Sequence, residues 1–289
     1  MIASIILTTH NRCKLLQERS LKSALNQTFK DYEIIVVDDC STDETESMMM
    51  LNLDPKVRYY RFKENKGLSA ARNTGVRESR GKYIVFLDDD NILSPAFLKE
   101  TIPVIESGWD VVGVGRHIIY KGFSDWVIPG TSKFSSLDWG YLFRREVFDV
   151  IKYDEELHAN EDTDFAIQFH NAGFKRYTIP IPLSTAYDTD DPKTSLSFPN
   201  KRELEGMTIF FSKNWHEYTE PKEQWCLCRL MARKFYRGGI KDLGLKFMWD
   251  GFRMYKNPRS FLHWFFLLFG WSVYDLFMSA EERLAAKLR

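Results

Sequence analysis

Lys82-Tyr83-Ile84-Val85-Phe86-Leu87-Asp88-Asp89-Asp90-Asn91 is the stretch whose reading decides the fold. A short run of aromatic, β-branched and other apolar residues enters three consecutive aspartates. Its length and composition predict a buried strand rather than a helix. Three carboxylates at one point repel each other, and a hard cation relieves that repulsion. Oxygen donors of this kind suit magnesium, manganese or calcium. A plainer reading is a solvated turn with a helix cap. Ser94-Pro95 follows and resembles an N-cap with proline at the first helical position.

Working outward, the same alternation recurs. Ala3 to Leu7 reads as a first buried strand, and Leu15, Leu16, Leu21, Ala24 and Leu25 mark a helix. Glu33 to Val37 is a second strand that stops at Asp38-Asp39. Ser41-x-x-Glu44 resembles a capping box before a Met-rich helix. Val57 to Phe62 alternates as a strand near a sheet edge, broken by Asn65-Lys66-Gly67. Leu68 to Ser79 is helical, with Gly81 expected as its C-cap. Strands alternating with helices predict an α/β fold, Rossmann-like, with a mostly parallel sheet and helices on both faces.

Ligands of open parallel sheets sit beyond the carboxyl ends of the strands. Thr8 to Arg12, Asp38 and Asp39, Asn65 to Gly67, and Asp88 to Asp90 gather there. Acids and amides beside Arg12 and Lys66 suit a nucleotide diphosphate, with a metal between the acidic rim and the phosphates. A dinucleotide-binding loop is excluded, since no Gly-rich turn follows the first strand and Gly113-Val114-Gly115 lacks the third glycine. A phosphatase-type Asp-x-Asp belongs after the first strand of its domain, whereas this one follows about the fourth.

Past Ile102-Pro103 the pattern loosens. Asp110 to Val114 reads as a short strand, residues 120–136 as a long loop over the site, and Trp139 to Arg145 as strand-like. His158-Ala159-Asn160-Glu161-Asp162-Thr163-Asp164 then opens a helix carrying Phe165, Ala166, Phe169 and Ala172, with Gly173 at its end. Acids at a helix start complement its dipole. Three of them behind His and Asn also suit a functional site.

These pieces together resemble the inverting, metal-dependent GT-A-fold glycosyltransferases (family 2 type) of bacterial surface-polysaccharide synthesis. The matching stretches are Ile5 to Arg12, Ile35 to Asp43, Asn65 to Asn73, Phe86 to Asp90, and Glu161-Asp162, in order over roughly residues 2–180. The resemblance implies a nucleotide-sugar donor held by Thr8, Thr9, Asn11, Arg12, Asp39, Asn65, Lys66, Gly67, Arg72, Asp88 and Asp89. Asp39 would pair with the base, in most such enzymes a uracil. Asp88 and Asp90 would hold a divalent metal, Mn2+ or Mg2+. Asp162, beside Glu161, would be the catalytic base. Relatives often carry a His or Arg near the diphosphate after the next strand; Tyr187 to Ser195 offers only Lys193. Expected partners are a nucleotide-sugar and a glycan or lipid-linked acceptor. Two rival readings are a catalytically silent GT-A-like membrane assembly partner and a nucleotidyltransferase.

The 289 residues are 44% hydrophobic and 28% charged, enough for one large domain or for one domain plus an appendage. Lys and Arg total 40, as do Asp and Glu, so the net charge is zero. Between Lys222 and Arg259, however, ten basic residues face three acidic ones. The expected division is 1–218, a GT-A catalytic domain, and 219–289, a basic, aromatic-rich helical tail. Phe261 to Trp271 is the most hydrophobic run in the chain, shorter than the ~20 residues that span a bilayer. An acidic body with such a tail points to an anionic membrane surface as partner, not nucleic acid; the alternative for the apolar run is a core or dimer-packing helix. Four cysteines with no metal-site spacing suggest a reducing compartment. The N-terminus lacks a basic segment before an apolar core, so no leader is expected. The expected location is cytoplasmic, peripheral on the inner face of the cell membrane.

Overall fold

A computed structural model describes residues 1–51, 54–120, 123–130, 132–188, 201–256, His263 and Leu267. The chain divides into two compact units, Met1–Asp190 and Asp191–Arg289.

In the first unit, nine strands among the described residues form one sheet. β1 (Ala3–Thr9) is followed by a helical stretch with three parts: α1 (Cys13–Leu15), a π-helical turn (Leu16–Leu21) and α2 (Lys22–Leu25). Next come β2 (Tyr32–Asp38), α3 (Thr45–Met50), β3 (Val57–Arg61), α4 (Leu68–Glu78), β4 (Tyr83–Asp88) and the two-residue β5 (Ile92–Leu93). Then follow α5 (Phe97–Glu106), β6 (Val111–Tyr120), β7 (Phe123–Val127), β8 (Tyr141–Arg144), α6 (Val147–Val150), α7 (Glu161–Asn171) and β9 (Arg176–Asp188).

The strand order is β3-β2-β1-β4-β8-β6-β9-β5, with β7 on β6. β3, β2, β1 and β4 are parallel neighbours; β8 turns antiparallel to both β4 and β6, while β9 runs parallel to β6. Every residue of β1 and β2 is buried, which is why their centres, Ile5-Ile6-Leu7 and Ile34-Ile35-Val36-Val37, read as unbroken apolar runs. Their side chains alternate between two cores. Ile5, Leu7, Val36, Val85 and Leu87 meet Phe97, Leu98 and Ile102 of α5. Ile6, Val37, Ile84 and Phe86 meet Ala71 of α4 and Phe165 and Phe169 of α7. Two packed faces make the helices-on-both-faces architecture, each fully buried side chain contributing about 1.5–3 kcal/mol.

Several local expectations are corrected. Ser41 and Glu44 form no capping box. The Ser41 amide instead donates to Asp38 Oδ1 (2.8 Å), and Asp43 Oδ1 accepts from the Thr45 hydroxyl (2.6 Å). Gly81 is not a left-handed cap, because α4 ends at Ser79; a Cβ on Gly81 would lie 2.5 Å from the Ala3 carbonyl carbon, so close backbone approach demands glycine there. Ser94-Pro95 precedes the helix by more than expected, and Ala96 is the N-cap of α5. The segment read as a loop over 120–136 contains β7, paired in register with β6 from Arg116↔Val127 to Tyr120↔Phe123. β6 itself runs past Val114 to Tyr120.

In the second unit, α8 (Lys201–Asn214) and a 3-10 turn (Trp215–Glu217) lead to α9 (Pro221–Arg237) and α10 (Lys241–Tyr255). Pro221 starts α9, and Glu220 and Glu223 form a capping box. Trp225, Cys228, Met231, Ala232 and Phe235 are all buried, as their helical spacing requires. The run from Phe261 to Trp271 lies outside the described residues except for His263 and Leu267, and Lys193 lies outside them altogether. No helix of the described residues is long and apolar enough to cross a membrane.

Candidate active site

The carboxyl ends of β1, β2 and β4 are in register, with Thr8 opposite both Val37 and Asp88. The loops leaving these ends therefore meet. Three non-glycine residues with left-handed backbones sit at this rim: Asn11 (φ 54°), Cys40 (φ 63°) and Asn160 (φ 61°). Such conformations cost roughly 1–2 kcal/mol each and concentrate where function holds the chain in place.

Three clusters of the expected site residues form. In the first, Asp89 is 5% exposed and accepts from the Thr9 hydroxyl (2.9 Å) and Arg12 Nη1 (3.1 Å). Arg12 Nη1 also reaches Asp90 Oδ2 at 2.9 Å. Arg19, presented by the π-helical turn, donates to the Asp90 carbonyl (3.2 Å) and lies 4.1 Å from the Tyr187 ring centre. Asp89 is thus turned inward as a tether, while Asp88 and Asp90 keep 29% and 26% of their side chains exposed.

In the second cluster, the Asp39 carboxylate receives the backbone amides of Lys66 (2.6 Å) and Gly67 (2.8 Å). Asn65 donates to the Asp39 carbonyl at 3.4 Å. Asn11 ties the neighbouring loop, accepting from the Thr42 amide (2.7 Å) and donating its own amide to Ser41 (2.9 Å). Thr8 is buried on β1 beneath these loops.

The third cluster joins the two ends of the site. Arg72 of α4, with 2% of its side chain exposed, donates to Asp88 Oδ1 (3.3 Å) and Glu161 Oε1 (3.0 Å). Its guanidinium lies 5.0 Å from the Tyr153 ring centre. Tyr153 stacks on Phe165 at 4.4 Å and meets Phe86 edge-on at 5.4 Å. Phe86 lies two residues before Asp88, and Phe165 three after Asp162. One aromatic cluster, each pair adding about 0.5–1.5 kcal/mol, therefore fixes both acidic segments. Asp162 opens α7 and accepts from its neighbour's Thr163 amide at 2.7 Å. Asp164 is fully buried and accepts from the Gln168 amide (2.6 Å).

Burial dominates the electrostatics. It pushes the Asp88 carboxyl up to about 6 against the pull of Arg72, and the Asp89 carboxyl up to about 7 against Arg12. Burial also raises Asp162, reinforced by the charges of Glu161 and Asp138 and opposed by Arg72 and the Thr163 amide. The competition between clustered acids and the helix start is thus won by burial and the acids.

Asp138 was not legible in the sequence. It sits alone between a stretch read as a loop and a stretch read as a strand, with no spacing to mark it. Arg116 of β6 grips it through Nη2 (2.6 Å) and Nη1 (3.3 Å). Arg72 and Arg116 each leave a buried Nε without a hydrogen-bond partner, both forks being committed to site carboxylates through Nη.

The donors present fit a hard divalent cation in part. Asp88 and Asp90 are partly exposed carboxylates, and oxygen donors of this kind suit such a cation. Mg2+-type sites use one or two carboxylates plus substrate phosphates and water. Among the described residues, no group of three His, Cys, Asp or Glu side chains converges as a complete protein cage.

Residues 4–177 match the model of glycosyl transferase family 2. The chain belongs to that family. It is 34% identical over 179 residues to the GalNAc(5)-diNAcBac-PP-undecaprenol beta-1,3-glucosyltransferase of Campylobacter jejuni, covering 55% of this chain and 57% of that one. The chain spans about half the length of the curated relatives it matches. Among solved structures, S. aureus TarS 1-349 in complex with UDP-GlcNAc aligns with a TM-score of 0.63 at 18% identity, over 90% of this chain and 83% of that one. A mannosyltransferase of Pyrobaculum calidifontis in complex with GDP-Man and Mn2+ aligns with a TM-score of 0.60 at 15% identity, over 89% and 76%. These likenesses show the GT-A, Rossmann-like fold expected from the alternation of strands and helices.

Proposed function

We propose that the family 2 chain is an inverting glycosyltransferase that moves a sugar from a nucleotide-sugar, a UDP-sugar by preference, to a glycan or lipid-linked hydroxyl. The observation that carries this reading is Arg72 spanning Asp88 and Glu161, which ties the expected diphosphate end to the expected base. The undecaprenol-linked substrate named for the Campylobacter jejuni relative and the UDP-GlcNAc bound to TarS support the acceptor and donor classes.

Asp39 keeps a free lone pair on each carboxylate oxygen and is placed to accept from the base edge. Arg12 supplies the positive charge nearest Asp90 and the diphosphate. Asp88 and Asp90 would hold a divalent cation, whose chemistry is Lewis-acid stabilisation of the departing diphosphate. Asp162 takes the proton of the attacking hydroxyl, worth roughly 10²–10⁴-fold in rate. Its raised proton affinity makes it a better base than an ordinary carboxylate. Glu161, pinned by Arg72, holds the start of α7 so that Asp162 faces the attack. Attack opposite the leaving group inverts the anomeric centre.

We also assign the basic second unit to an anionic membrane surface, where a lipid-linked acceptor diffuses in two dimensions. The deciding experiment is a scan of sugar nucleotides for manganese-dependent hydrolysis or transfer. Release of a nucleoside diphosphate with one donor supports the reading. Release of pyrophosphate, or no turnover with any donor, refutes it.

A further inference from the structure

We propose that Asp138, clamped by Arg116, is the carboxylate that reads the hydroxyl pattern of the donor sugar. The inference rests on the functional reading above, because it places the sugar between the diphosphate end and the base.

The first support is position. Residues 137–140 form a strap tied to both acidic segments. The Leu137 amide donates to the Asp162 carbonyl (3.3 Å), and the Gly140 amide donates to the Phe86 carbonyl (3.0 Å). Tyr153 holds the same strap through its hydroxyl, which donates to the Leu137 carbonyl at 3.0 Å. Gly140 turns the strap into β8 with a φ of +72°, a conformation that a side chain resists. Asp138 therefore hangs between the end of β4 and the start of α7. Its negative charge is felt at both Asp88 and Asp162. In an inverting displacement the sugar ring occupies the space between the departing diphosphate and the base. A carboxylate between those two sites meets the ring itself.

The second support is how the carboxylate is held. Arg116 donates to both of its oxygens and to the Trp139 carbonyl (2.6 Å). The guanidinium lies 4.5 Å from the Trp139 ring centre and 5.2 Å from that of Tyr141. A fork–fork pair fixes the carboxylate plane, which orients its remaining lone pairs. The Asp138 side chain remains 20% exposed and that of Arg116 12%. Each carboxylate oxygen can take a further hydrogen bond, and sugar hydroxyls are donors. A buried ion pair contributes little net stability over an apolar pair of the same shape. Its rigid geometry therefore weighs more here than its energy. An acceptor fixed in this way rejects an epimer whose hydroxyl points elsewhere, because the acceptor is then left unpaired.

The test uses the full chain and calorimetric titration with manganese present. Probes are UDP, the epimer pair UDP-glucose and UDP-galactose, and the pair UDP-GlcNAc and UDP-GalNAc. Wild type is expected to bind UDP and to favour one epimer. Asp138→Ala is expected to keep UDP affinity within about twofold. Its preference between epimers should fall by roughly 10- to 100-fold, the worth of a hydrogen bond to a charged group. Asp138→Asn keeps the shape but turns one acceptor oxygen into a donor and undoes the two-oxygen clamp of Arg116, so its epimer preference should fall as well, which covers the case in which the alanine variant does not fold. A merely structural role would change melting and overall affinity together and leave the epimer ratio unmoved. Unchanged epimer preference in either folded variant overturns the inference, as does loss of UDP binding along with it. Absence of epimer preference in wild type overturns it too. Failure of wild type to bind any nucleotide instead sinks the functional reading.

Discussion

Replacing Arg72 by methionine removes one buried cation from among Asp88, Glu161 and Asp162 while keeping an unbranched apolar stem. Arg72 contributes two charge-assisted hydrogen bonds, at 3.3 Å and 3.0 Å, from a side chain that is 2% exposed. Removing one partner of a buried pair costs about 3–5 kcal/mol. Asp88 is 29% exposed and can regain some water, so the lower end applies, about 3 kcal/mol. For a unit of this size each kcal/mol moves the melting temperature by about 2–4 °C, so the expected loss is about 6–12 °C. The pH dependence identifies the cause. Asp88 already has its folded carboxyl raised to about 6, so its protonation favours the folded state. The corresponding stability is present below the unfolded carboxylate value and is lost as pH rises through about 6. Without Arg72 the folded value climbs further, and the loss extends to higher pH. The deficit of Arg72→Met should therefore be largest near pH 8 and shrink toward pH 5. Thermal melting of both proteins across that range measures it. A deficit independent of pH would assign the effect to lost packing on Tyr153, and an unchanged melting temperature would remove Arg72 from the charge balance altogether.

Asp162→Asn is expected to leave nucleoside diphosphate affinity intact and to lower turnover by at least about a hundredfold. The wild-type rate should rise with pH as the raised carboxyl ionises, since only the carboxylate accepts a proton, and the asparagine variant should lose that limb. Wild-type turnover in the variant, with chemistry rate-limiting, moves the proton transfer elsewhere. Asp90→Ala should abolish manganese-dependent binding of a nucleoside diphosphate in calorimetry; unaltered affinity removes Asp90 from the metal site. The full chain should co-sediment with anionic vesicles at low salt and less so at 1 M, where the Debye length falls to about 3 Å, while a chain ending at Tyr218 stays in the supernatant. If both remain in the supernatant at low salt, the membrane assignment is wrong.

Local chemistry settles much of this protein from the sequence alone. Apolar runs at Ile5 to Leu7 and Tyr83 to Leu87 mark parallel strands buried on both faces, because such strands have no solvent side to alternate toward. Acids and amides directly after those runs mark the ligand rim, since strand ends carry the loops. Asp38, Asp39 and Asp88 to Asp90 stand out as groups at strand ends, and Glu161, Asp162 and Asp164 as acids at a helix start; the separate roles expected of Asp39, Asp88, Asp90 and Asp162 came from the family resemblance. Features that depend on chain segments far apart in sequence were not legible. β7 carries no period clear enough to separate it from a loop, and its pairing with β6 supplies the order. Gly81 looks like a helix cap in sequence, and only the approach of Ala3 from a distant strand explains it. Asp89 stands between two identical neighbours, and the Thr9 and Arg12 side chains alone turn it inward. Asp138 gains meaning from Arg116 and from two backbone bonds to Phe86 and Asp162, none of them near it in the chain. The proton affinity of Asp162 was undecidable from its neighbours. Burial decides it, and burial is a property of the packed molecule.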